Sequence, residues 1–441
     1  MIDNYNIVVA GAGFSGGIVA TQLKKHTKSD VIILDKCTDI GSSESGTALN
    51  INPNWIRSLQ SLDPELNLQI ISAGLPRNSI RAEKISWKLL YDLPMCIPGW
   101  ENMALNPGLR IWWKDAYTVI RKDLEVEYNQ EVIDYEIDKT KNKGTISISV
   151  LDRVNKRVRQ ISGIDFLIST DGRYSKIRES ISPFVPNFIG VSNFRLLIPD
   201  TSGGLFDDFE LFYTENPIGR ELVTDNQNPD FIFSLESLPR LWVMKVPKSD
   251  SWGGDMLWIF GNFWIMDEIP DFAKTSQGLI QLYAPRDGVT SDKWEYLLKV
   301  ISENSSSMHW SRMQSWPICF GDPEKKILLL GDSAHCISPA MGQWATLAIE
   351  DACVGAKVII EDINKGHLDG NTIRKIAEMR SRRREFVAKV SSVDSKHLIH
   401  RNSSSIDTLL RQTQIMSDKA SFFRQLMEKV WRNWPTLSFN K

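Results

Sequence analysis

The chain of 441 residues has few cysteines, few histidines and almost no excess of charge. The five cysteines are scattered, odd in number and form no C-x-x-C pair: Cys37, Cys96, Cys319, Cys336 and Cys353. This spacing argues against a disulfide framework and against a cysteine-based zinc site, and the six histidines add no metal-binding cluster. A formal net charge of −2 gives no reason to expect a nucleic acid as partner.

Long apolar runs are also missing. No stretch approaches the ~18 apolar residues that a membrane-spanning helix needs. Residues 1–4 run directly into an apolar segment without the pattern of a secretory signal. We therefore expect a cytoplasmic protein with reduced cysteines. Ordinary composition, with 42% hydrophobic and 24% charged residues, predicts a globular chain long enough for two domains.

The first positive signal is a glycine-rich turn near the N-terminus. Residues 5–10 are apolar and predict a buried parallel strand, and residues 17–24 have helical spacing. Between them lie three glycines with distinct roles. Gly11 allows the tight turn, Gly13 lets the backbone approach a pyrophosphate, and Gly16 lets the helix pack closely on the strand.

An acidic residue follows at the distance that a dinucleotide site requires. Residues 31–34 predict a second buried strand, which ends at Asp35, where a carboxylate can accept from a ribose hydroxyl. The start of the helix offers unpaired N–H groups and a positive dipole end to phosphates. The strand, the glycine turn, the helix and the acidic residue occur in the order of a dinucleotide site. This order favours a bound adenine dinucleotide over a glycine-rich turn that binds no ligand. Phe14, Ser15 and Lys36 adjoin these positions and are candidate contacts.

A second motif occurs about 315 residues later. Residues 327–330 predict a short buried strand, and Asp332 follows at its carboxyl end, where open α/β sheets bind ligands. Residues 338–343 form a turn, and residues 344–358 have helical spacing. The N–H groups at the start of this helix would face the electron-rich edge of a flavin ring. Together, the two motifs favour FAD as the ligand.

A third signal lies between these two. Residues 165–170 predict a strand that ends in Asp171 and Gly172, followed by a basic helix start at Arg173. Taken alone, this third signal could be a simple β-turn, because Asp-Gly is a common turn pair.

These three signals, in this order and at this spacing, resemble the class A FAD-dependent aromatic hydroxylases, the flavoprotein monooxygenases typified by para-hydroxybenzoate hydroxylase. The likeness extends from residue 5 to about residue 400. It implies an α/β protein in which a Rossmann-like FAD-binding domain carries an inserted antiparallel-sheet substrate domain and a helical C-terminus. The expected boundaries are residues 1–75, 100–180 and 318–365 for the FAD domain, 76–99 and 181–317 for the substrate domain, and 366–441 for the helical segment.

The resemblance also implies which residues hold the cofactor. Asp332 would bind the ribityl chain, and Asp171 would be shared between FAD and passing NAD(P)H. The implied contacts of the ADP portion are Gly11, Gly13, Gly16 and Asp35. The residues implied near the isoalloxazine ring are Pro339, Gly342, Gln343, Trp344 and Ala345.

The chain departs from the family pattern at two places. The family usually has a second glycine where Trp344 stands, so an indole would either wall off part of the flavin cavity or pack between helices. Ser45 stands where the family often has an arginine, which leaves Arg110 or Lys114 as the available cation.

Residues 181–317 contain aromatic strands separated by Gly and Pro turns, and they predict an antiparallel sheet that roofs the flavin, with residues 86–91 joining it. The aromatics suit a pocket for a flat, apolar substrate, although core packing explains any single one.

We interpret His335 as a structural hydrogen-bonding residue, and the basic residues 380–384 as a solvated face. An apolar stripe at residues 422–431 would cover the core, or else meet a second subunit or a membrane surface.

The function implied by the resemblance is monooxygenation. Tightly and non-covalently bound FAD, reduced by NAD(P)H, would react with O₂ to give a flavin C4a-hydroperoxide, whose distal oxygen passes to an aromatic or polycyclic small molecule. No catalytic acid or base can be assigned from sequence, no metal is expected, and the protein would be a monomer or homodimer.

Three alternatives remain open. The first is an FAD-dependent reductase or dehydrogenase. The second is a halogenase, although the nearest match to its W-x-W-x-I-P block, residues 264–270, lacks the second tryptophan. The third is a non-catalytic binding protein with the same fold, in which Trp344 obstructs the flavin.

Overall fold

The structure is a computed structural model that describes most of the chain up to residue 399. The described residues are 4–39, 48–76, 79–85, 89–94, 108–138, 144–183, 187–207, 209–213, 222–225, 228–234, 240–246, 254–264, 271–284, 288–337 and 342–399. The strands are β1 (Asn6–Ala10), β2 (Asp30–Leu34), β3 (Ala48–Ile51), β4 (Leu75–Pro76), β5 (Ser79–Lys84), β6 (Leu89–Pro94), β7 (Leu109–Trp112), β8 (Val126–Glu127), β9 (Gln130–Asp138), β10 (Thr145–Asp152), β11 (Val158–Ile164), β12 (Phe166–Ser169), β13 (Asn187–Pro199), β14 (Phe209–Tyr213), β15 (Leu222–Asp225), β16 (Asn228–Ser234), β17 (Arg240–Val246), β18 (Met256–Trp264), β19 (His309–Ser315), β20 (Gly321–Asp322) and β21 (Ile327–Leu329). The helices are α1 (Phe14–His26), α2 (Pro53–Leu62), α3 (Pro64–Ser72), α4 (Trp113–Arg121), α5 (Lys176–Ile181), α6 (Ser276–Tyr283), α7 (Asp292–Glu303), α8 (Trp344–Asn364) and α9 (Gly370–Ile399).

A six-stranded sheet carries all the motifs found in the sequence. Its strand order is β20-β21-β12-β1-β2-β8, with β20 antiparallel at one edge and every other pairing parallel. The strands are short apolar runs because helices cover the sheet and leave little of it accessible to water. The four predicted motif strands are therefore confirmed, and they are neighbours. Their carboxyl ends bring Gly11, Asp171 and Asp332 to the same edge.

A seven-stranded sheet, ordered β19-β13-β18-β17-β14-β5-β6, contains most of the predicted aromatic strands. All its pairings are antiparallel except that of β14 with β5. One face packs against α6 and α7 around a core that includes Phe194, Leu241 and Trp294. The opposite face includes Phe209 and Trp258 and packs towards the start of α8.

The structure of this region differs from the sequence prediction in two ways. Residues 276–283 and 292–303 are helical, and they cover the sheet where only strands were expected. Within the region expected to form a single antiparallel sheet, β16 pairs with β15 in a separate hairpin. Residues 86–88 of the segment expected to join the sheet lie outside the described residues, but β6 does join it.

Two small antiparallel sheets complete the strands, with orders β11-β10-β9 and β3-β7-β4. None of the described helices is both long enough and apolar enough to cross a lipid bilayer. The helical prediction for the C-terminal segment holds as far as α9 extends, to Ile399. The predicted apolar stripe at residues 422–431 lies outside the described residues.

The prediction that residues 380–384 form a solvated face is wrong. Arg380 is fully buried, Arg383 and Arg384 are nearly so, and only Arg382 is exposed. Buried guanidinium groups need partners. Arg380 and Arg383 pair with carboxylates on α8, and Arg384 donates to the backbone carbonyls of Trp316 and Cys336. The charge pattern of the sequence alone does not reveal these partners.

Candidate active site

Two of the three glycines in the N-terminal turn are required by the packing of the chain itself. Gly11 has a φ of +95°, and a Cβ added there would lie 2.5 Å from the carbonyl oxygen of Thr170. A Cβ on Gly16 would lie 1.9 Å from the carbonyl oxygen of Gly11. The turn after β1 therefore closes directly against the Asp-Gly turn after β12, and only glycine allows this approach.

Gly13 is different, because nothing in the described part of the chain requires a glycine there. Its φ of −68° is available to any residue. Among the described residues, a Cβ at this position would meet only the Tyr117 hydroxyl, at 3.4 Å, an ordinary contact. The open space lies at the N-terminus of α1, where backbone N–H groups favour phosphate. A side chain at position 13 would fill this space, which we call the cradle at Gly13. As long as glycine leaves it open, the cradle fits a pyrophosphate group.

Asp35 anchors the glycine turn through several bonds. Its carboxylate accepts from the backbone N–H groups of Ala12 and Cys37, both at 2.9 Å. Arg121, at the end of α4, pairs with Asp35 at 3.1 Å and donates to the carbonyl of Ala12 at 2.5 Å. The Arg121 guanidinium also lies 4.5 Å from the centre of the Tyr117 ring. Arg121 is not among the residues predicted from the sequence, because no local motif surrounds it.

A cleft of about 160 Å³ joins the first motif to the Asp-Gly turn. Its lining includes Gly11, Gly13, Asp35, Lys36, Asp171 and Gly172. Burial raises the pKa of Asp171, although hydrogen bonds from Ser169 and Ser175 and the charge of Lys36 oppose that shift. Ser169 donates to Asp171 at 2.5 Å, and this bond orients the carboxyl group. The structure thus brings together the residues predicted to bind the nucleotide half of a cofactor.

Asp332 presents a carboxylate at the adjacent strand end. It lies in the single 3₁₀ turn Gly331–Ser333 after β21. Burial raises the pKa of Asp332, while the electrostatic influence of His335 and of the Arg173 guanidinium opposes the shift. Within the described part of the chain, no group donates a hydrogen bond to this half-buried carboxylate. An acceptor left without a donor fits a ligand that carries hydroxyl groups.

Contacts between distant segments hold these turns together. Ser15 at the start of α1 donates to the carbonyl of Ala348 in α8 at 2.8 Å. The Asn52 amide donates to the carbonyl of Gly342 at 2.8 Å, and Gly342 has a φ of +61°. The Asn54 amide donates to Oε1 of the buried Gln343 at 3.2 Å. The segment that carries Asn52 and Asn54 therefore contacts the turn predicted to approach the flavin ring.

A buried network of charges lies behind the Asp332 turn. His335 Nε2 is 2.5 Å from Asp351 Oδ2, in agreement with the structural role expected for this histidine. Asp351 also pairs with Arg380, and Glu350 pairs with both Arg380 and Arg383. Burial alone would raise the pKa of both carboxyl groups, but the neighbouring positive charges outweigh burial and lower it.

Trp344 packs within an aromatic cluster. Its indole centre lies 5.3 Å from that of Trp113, which in turn contacts Phe14 and Tyr117. Trp344 remains half-buried, while the following Ala345 is buried. The cluster links the first residue of α1 to the first residue of α8. Packing between helices was one of the two alternatives for the Trp344 indole in the sequence analysis. The contact with Trp113 is of this kind.

The remaining candidates differ in their surroundings. Arg110 is buried, and its guanidinium donates to the backbone carbonyls of Pro76, Asp207 and Lys245. Neither Arg110 nor Lys114 belongs to the lining of the cleft. Ser45 and Pro339 lie outside the described residues.

Comparisons with known proteins agree with this geometry. No family model matches the chain. The chain is 24% identical over 375 residues to 3-hydroxybenzoate 6-hydroxylase 1 of Aquipseudomonas alcaligenes, covering 79% of this chain and 78% of that protein. It is 21% identical over 407 residues to hispidin-3-hydroxylase of Neonothopanus nambi, covering 88% of each. The predicted resemblance to flavoprotein hydroxylases is confirmed.

The fold agrees with a solved structure over nearly its whole length. The crystal structure of Klebsiella pneumoniae HpxO complexed with FAD and uric acid has a TM-score of 0.72 at 15% identity, covering 98% of this chain and 97% of that one. The chain therefore shares its mixed α/β fold, with parallel and antiparallel sheets, with a solved FAD complex.

Proposed function

We propose that this protein is an FAD-dependent monooxygenase that inserts one oxygen atom from O₂ into an aromatic or polycyclic small molecule, with NAD(P)H as the reductant. The observation that carries the proposal is the meeting of three turns at one sheet edge, with an open cradle at Gly13 and, at Asp332, a carboxylate to which no described group donates. The hydroxylases that resemble the chain along most of its length support the same reaction class.

The residues at this edge fit FAD. The cradle at Gly13 and the N-terminus of α1 would take the pyrophosphate, and the cleft beside Asp35 and Lys36 would take the adenosine. Asp332 would accept from the ribityl hydroxyls. FAD supplies the redox chemistry when bound, taking electrons from NAD(P)H and activating O₂. The protein binds and orients both molecules and excludes water.

The domain assignment belongs to the same proposal. We assign residues 1–75, 100–180 and 318–365 to the FAD domain, and 76–99 and 181–317 to the substrate domain. The face of the seven-stranded sheet that packs towards α8 would form the roof of the substrate cavity.

A cytoplasmic location and a monomeric or homodimeric state are also proposed. A fluorescent fusion and light scattering test these two points.

Isotope labelling tests the reaction. The purified protein, loaded with FAD, is supplied with NADH or NADPH, labelled O₂ and a panel of phenols and hydroxylated aromatic acids. We expect at least one compound to accelerate NAD(P)H consumption and to gain one labelled oxygen atom. Flavin reduction and turnover without any labelled product would favour a reductase or dehydrogenase instead. A matched reaction without NAD(P)H controls for uncatalysed oxidation.

A further inference from the structure

One face at the start of α8 is polar although it is buried. Gln343, Thr346 and Glu350 follow one another at spacings of three and four residues, so they share this face of the helix. All three are completely buried, and so is Asn54 in the first turn of α2. Buried helix faces are usually apolar, because a buried polar group costs free energy unless a hydrogen bond compensates for it. The bonds that these side chains make therefore show what the polar face does.

The amide of Asn54 connects the two ends of this face. Its nitrogen donates to Glu350 Oε1 at 2.6 Å and to Gln343 Oε1 at 3.2 Å. The carboxylate of Glu350 is itself held in place by Arg380 and Arg383, each at 2.9 Å. The buried ion pairs thus fix the amide of Asn54, and Asn54 in turn fixes the side chain of Gln343.

A second asparagine holds the backbone of the same turn. Asn52 is the N-cap residue of α2, and its side-chain amide donates to the carbonyl of Gly342 at 2.8 Å. Gly342 has a φ of +61°, in the left-handed region, and a Cβ there would lie 3.3 Å from the Asn52 amide nitrogen. The start of α2 therefore holds the turn before α8 twice, by the backbone through Asn52 and by a side chain through Asn54.

These bonds turn the side chain of Gln343 away from the start of α8. Gln343 occupies the N-cap position, where a side-chain oxygen can accept from the first N–H groups of a helix. Its oxygen accepts from Asn54 instead, and within the described part of the chain it forms no capping bond. The first backbone N–H groups of α8, at the positive end of the helix dipole, can therefore serve another acceptor. The proposed function places the edge of the flavin ring there.

We propose that Asn54 is a positioning residue that fixes the uncapped first turn of α8 against the flavin ring and thereby raises the reduction potential of the bound FAD. Reduced flavin carries more negative charge than oxidised flavin, so N–H groups held at its edge favour the reduced state. Hydrogen bonds weaken steeply with poor alignment, so a turn that is free to shift loses part of this preference. The inference rests on the proposed function, because it concerns the same cofactor. Asn54 acts through Gln343 and takes no part in oxygen transfer.

Redox titration of the FAD-loaded protein against a reference dye tests the inference, without substrate and without O₂. Asn54→Leu keeps the approximate size of the side chain and removes both of its hydrogen bonds. We expect the Kd of oxidised FAD divided by the Kd of reduced FAD to fall about tenfold, which equals a decrease of about 30 mV in the midpoint potential of a two-electron couple. Asn52→Leu breaks the bond to the turn backbone and should shift the ratio in the same direction.

Two matched variants separate positioning from folding. Asn67→Leu is the same substitution at another completely buried asparagine, whose amide donates to Gln60 at 2.7 Å. It should lower the melting temperature as Asn54→Leu does, but it should change the Kd ratio by less than about threefold. Thr346→Val alters the polar face of α8 itself. The Thr346 hydroxyl has no hydrogen-bond partner among the described residues, so this variant should change neither quantity.

Several results would overturn the inference. A Kd ratio that stays within about threefold of the wild type in Asn54→Leu would do so. An equal shift in Asn67→Leu would also do so, since a general loss of stability would then explain both. If Asn54→Leu takes up no FAD, Asn52→Leu decides by the same criterion.

The outcome is separable from that of the proposed function. A shifted potential in a protein that incorporates no labelled oxygen would sustain the role of Asn54 and reject the monooxygenase. An unchanged potential in a protein that does incorporate labelled oxygen would reject the role of Asn54 alone. A wild-type protein that binds no FAD would reject both.

Discussion

Arg380 Nε donates to Asp351 Oδ1 at 2.6 Å, and neither side chain is accessible to solvent. The other oxygen of Asp351 accepts from the backbone N–H of Gly331 at 3.2 Å. Helix α9 is thereby bonded, through α8, to the turn that carries Asp332. We infer that this chain of bonds positions Asp332.

Removing Arg380 should destabilise the fold strongly. Arg380→Met leaves Asp351 and Glu350 buried with less compensating charge, which costs about 3–5 kcal/mol of unfolding free energy. Urea denaturation followed by circular dichroism measures this cost. Arg382→Met on the same helix is the matched control, because Arg382 is exposed and should change stability by less than about 0.5 kcal/mol. Equal stability of the two variants would contradict the account.

The same network predicts how stability depends on pH. Burial alone would raise the pKa of Glu350 and Asp351, but positive neighbours lower it below the unfolded value. A depressed carboxyl pKa adds stability above the unfolded pKa of about 4, and this contribution is lost as the pH falls further. We expect the melting temperature to fall steeply below about pH 4. Asp351→Asn should start less stable and lose less on acidification, whereas parallel curves would count against the network.

Two glycines of the first turn should respond differently to substitution. A Cβ on Gly16 would lie 1.9 Å from the Gly11 carbonyl, so Gly16→Ala should destabilise the fold even without a cofactor. A Cβ on Gly13 has room in the protein, so Gly13→Val should keep the melting temperature of the apoprotein while losing FAD. Differential scanning fluorimetry with and without FAD compares them. Full flavin retention by Gly13→Val would reject the pyrophosphate assignment.

Asp332 should matter for FAD and not for folding. It accepts no hydrogen bond within the described part of the chain, so Asp332→Ala should leave the apoprotein at least as stable as the wild type. Loss of a charged acceptor for the ribityl hydroxyls should weaken FAD binding by about 10- to 150-fold. Fluorescence titration of apoprotein with FAD gives the affinity. An unchanged Kd would mean that Asp332 lies away from the flavin.

Trp344 should affect packing more than flavin chemistry. Its indole contacts Trp113, so Trp344→Gly removes a large aromatic contact at the start of α8 and should lower stability by about 2–4 kcal/mol. Anaerobic stopped-flow mixing with NAD(P)H then measures flavin reduction in the folded variant. We expect a change of less than about threefold, equivalent to under 1 kcal/mol. A large change in reduction rate would favour the alternative that the indole walls off the flavin cavity.

Local patterns explain why part of the site could be predicted from the sequence. The strand, glycine turn and helix around Gly11–Gly16 are neighbours along the chain, and each leaves a signal in spacing and hydrophobicity. The same holds for Asp171 and Asp332. Because each follows a buried parallel strand, their meeting at one edge follows from the sheet.

Non-local pairing explains what could not be predicted. Arg121 lies 86 residues from Asp35, and nothing in the local sequence of α4 marks its role. Arg380 and Arg383 belong to a basic run that is typical of a solvated face, yet their carboxylate partners Glu350 and Asp351 lie one helix earlier. Pairing of this kind depends on how α8 and α9 pack, which hydrophobic periodicity alone does not specify.

Flavin content is the most direct test of the central claim. The purified protein is incubated with FAD, freed of unbound cofactor by gel filtration and denatured, and the released flavin is identified chromatographically and quantified. The account predicts a yellow protein that carries about one FAD per chain. A folded, colourless protein that takes up no FAD, although its circular dichroism shows the expected helix and strand content, would contradict it.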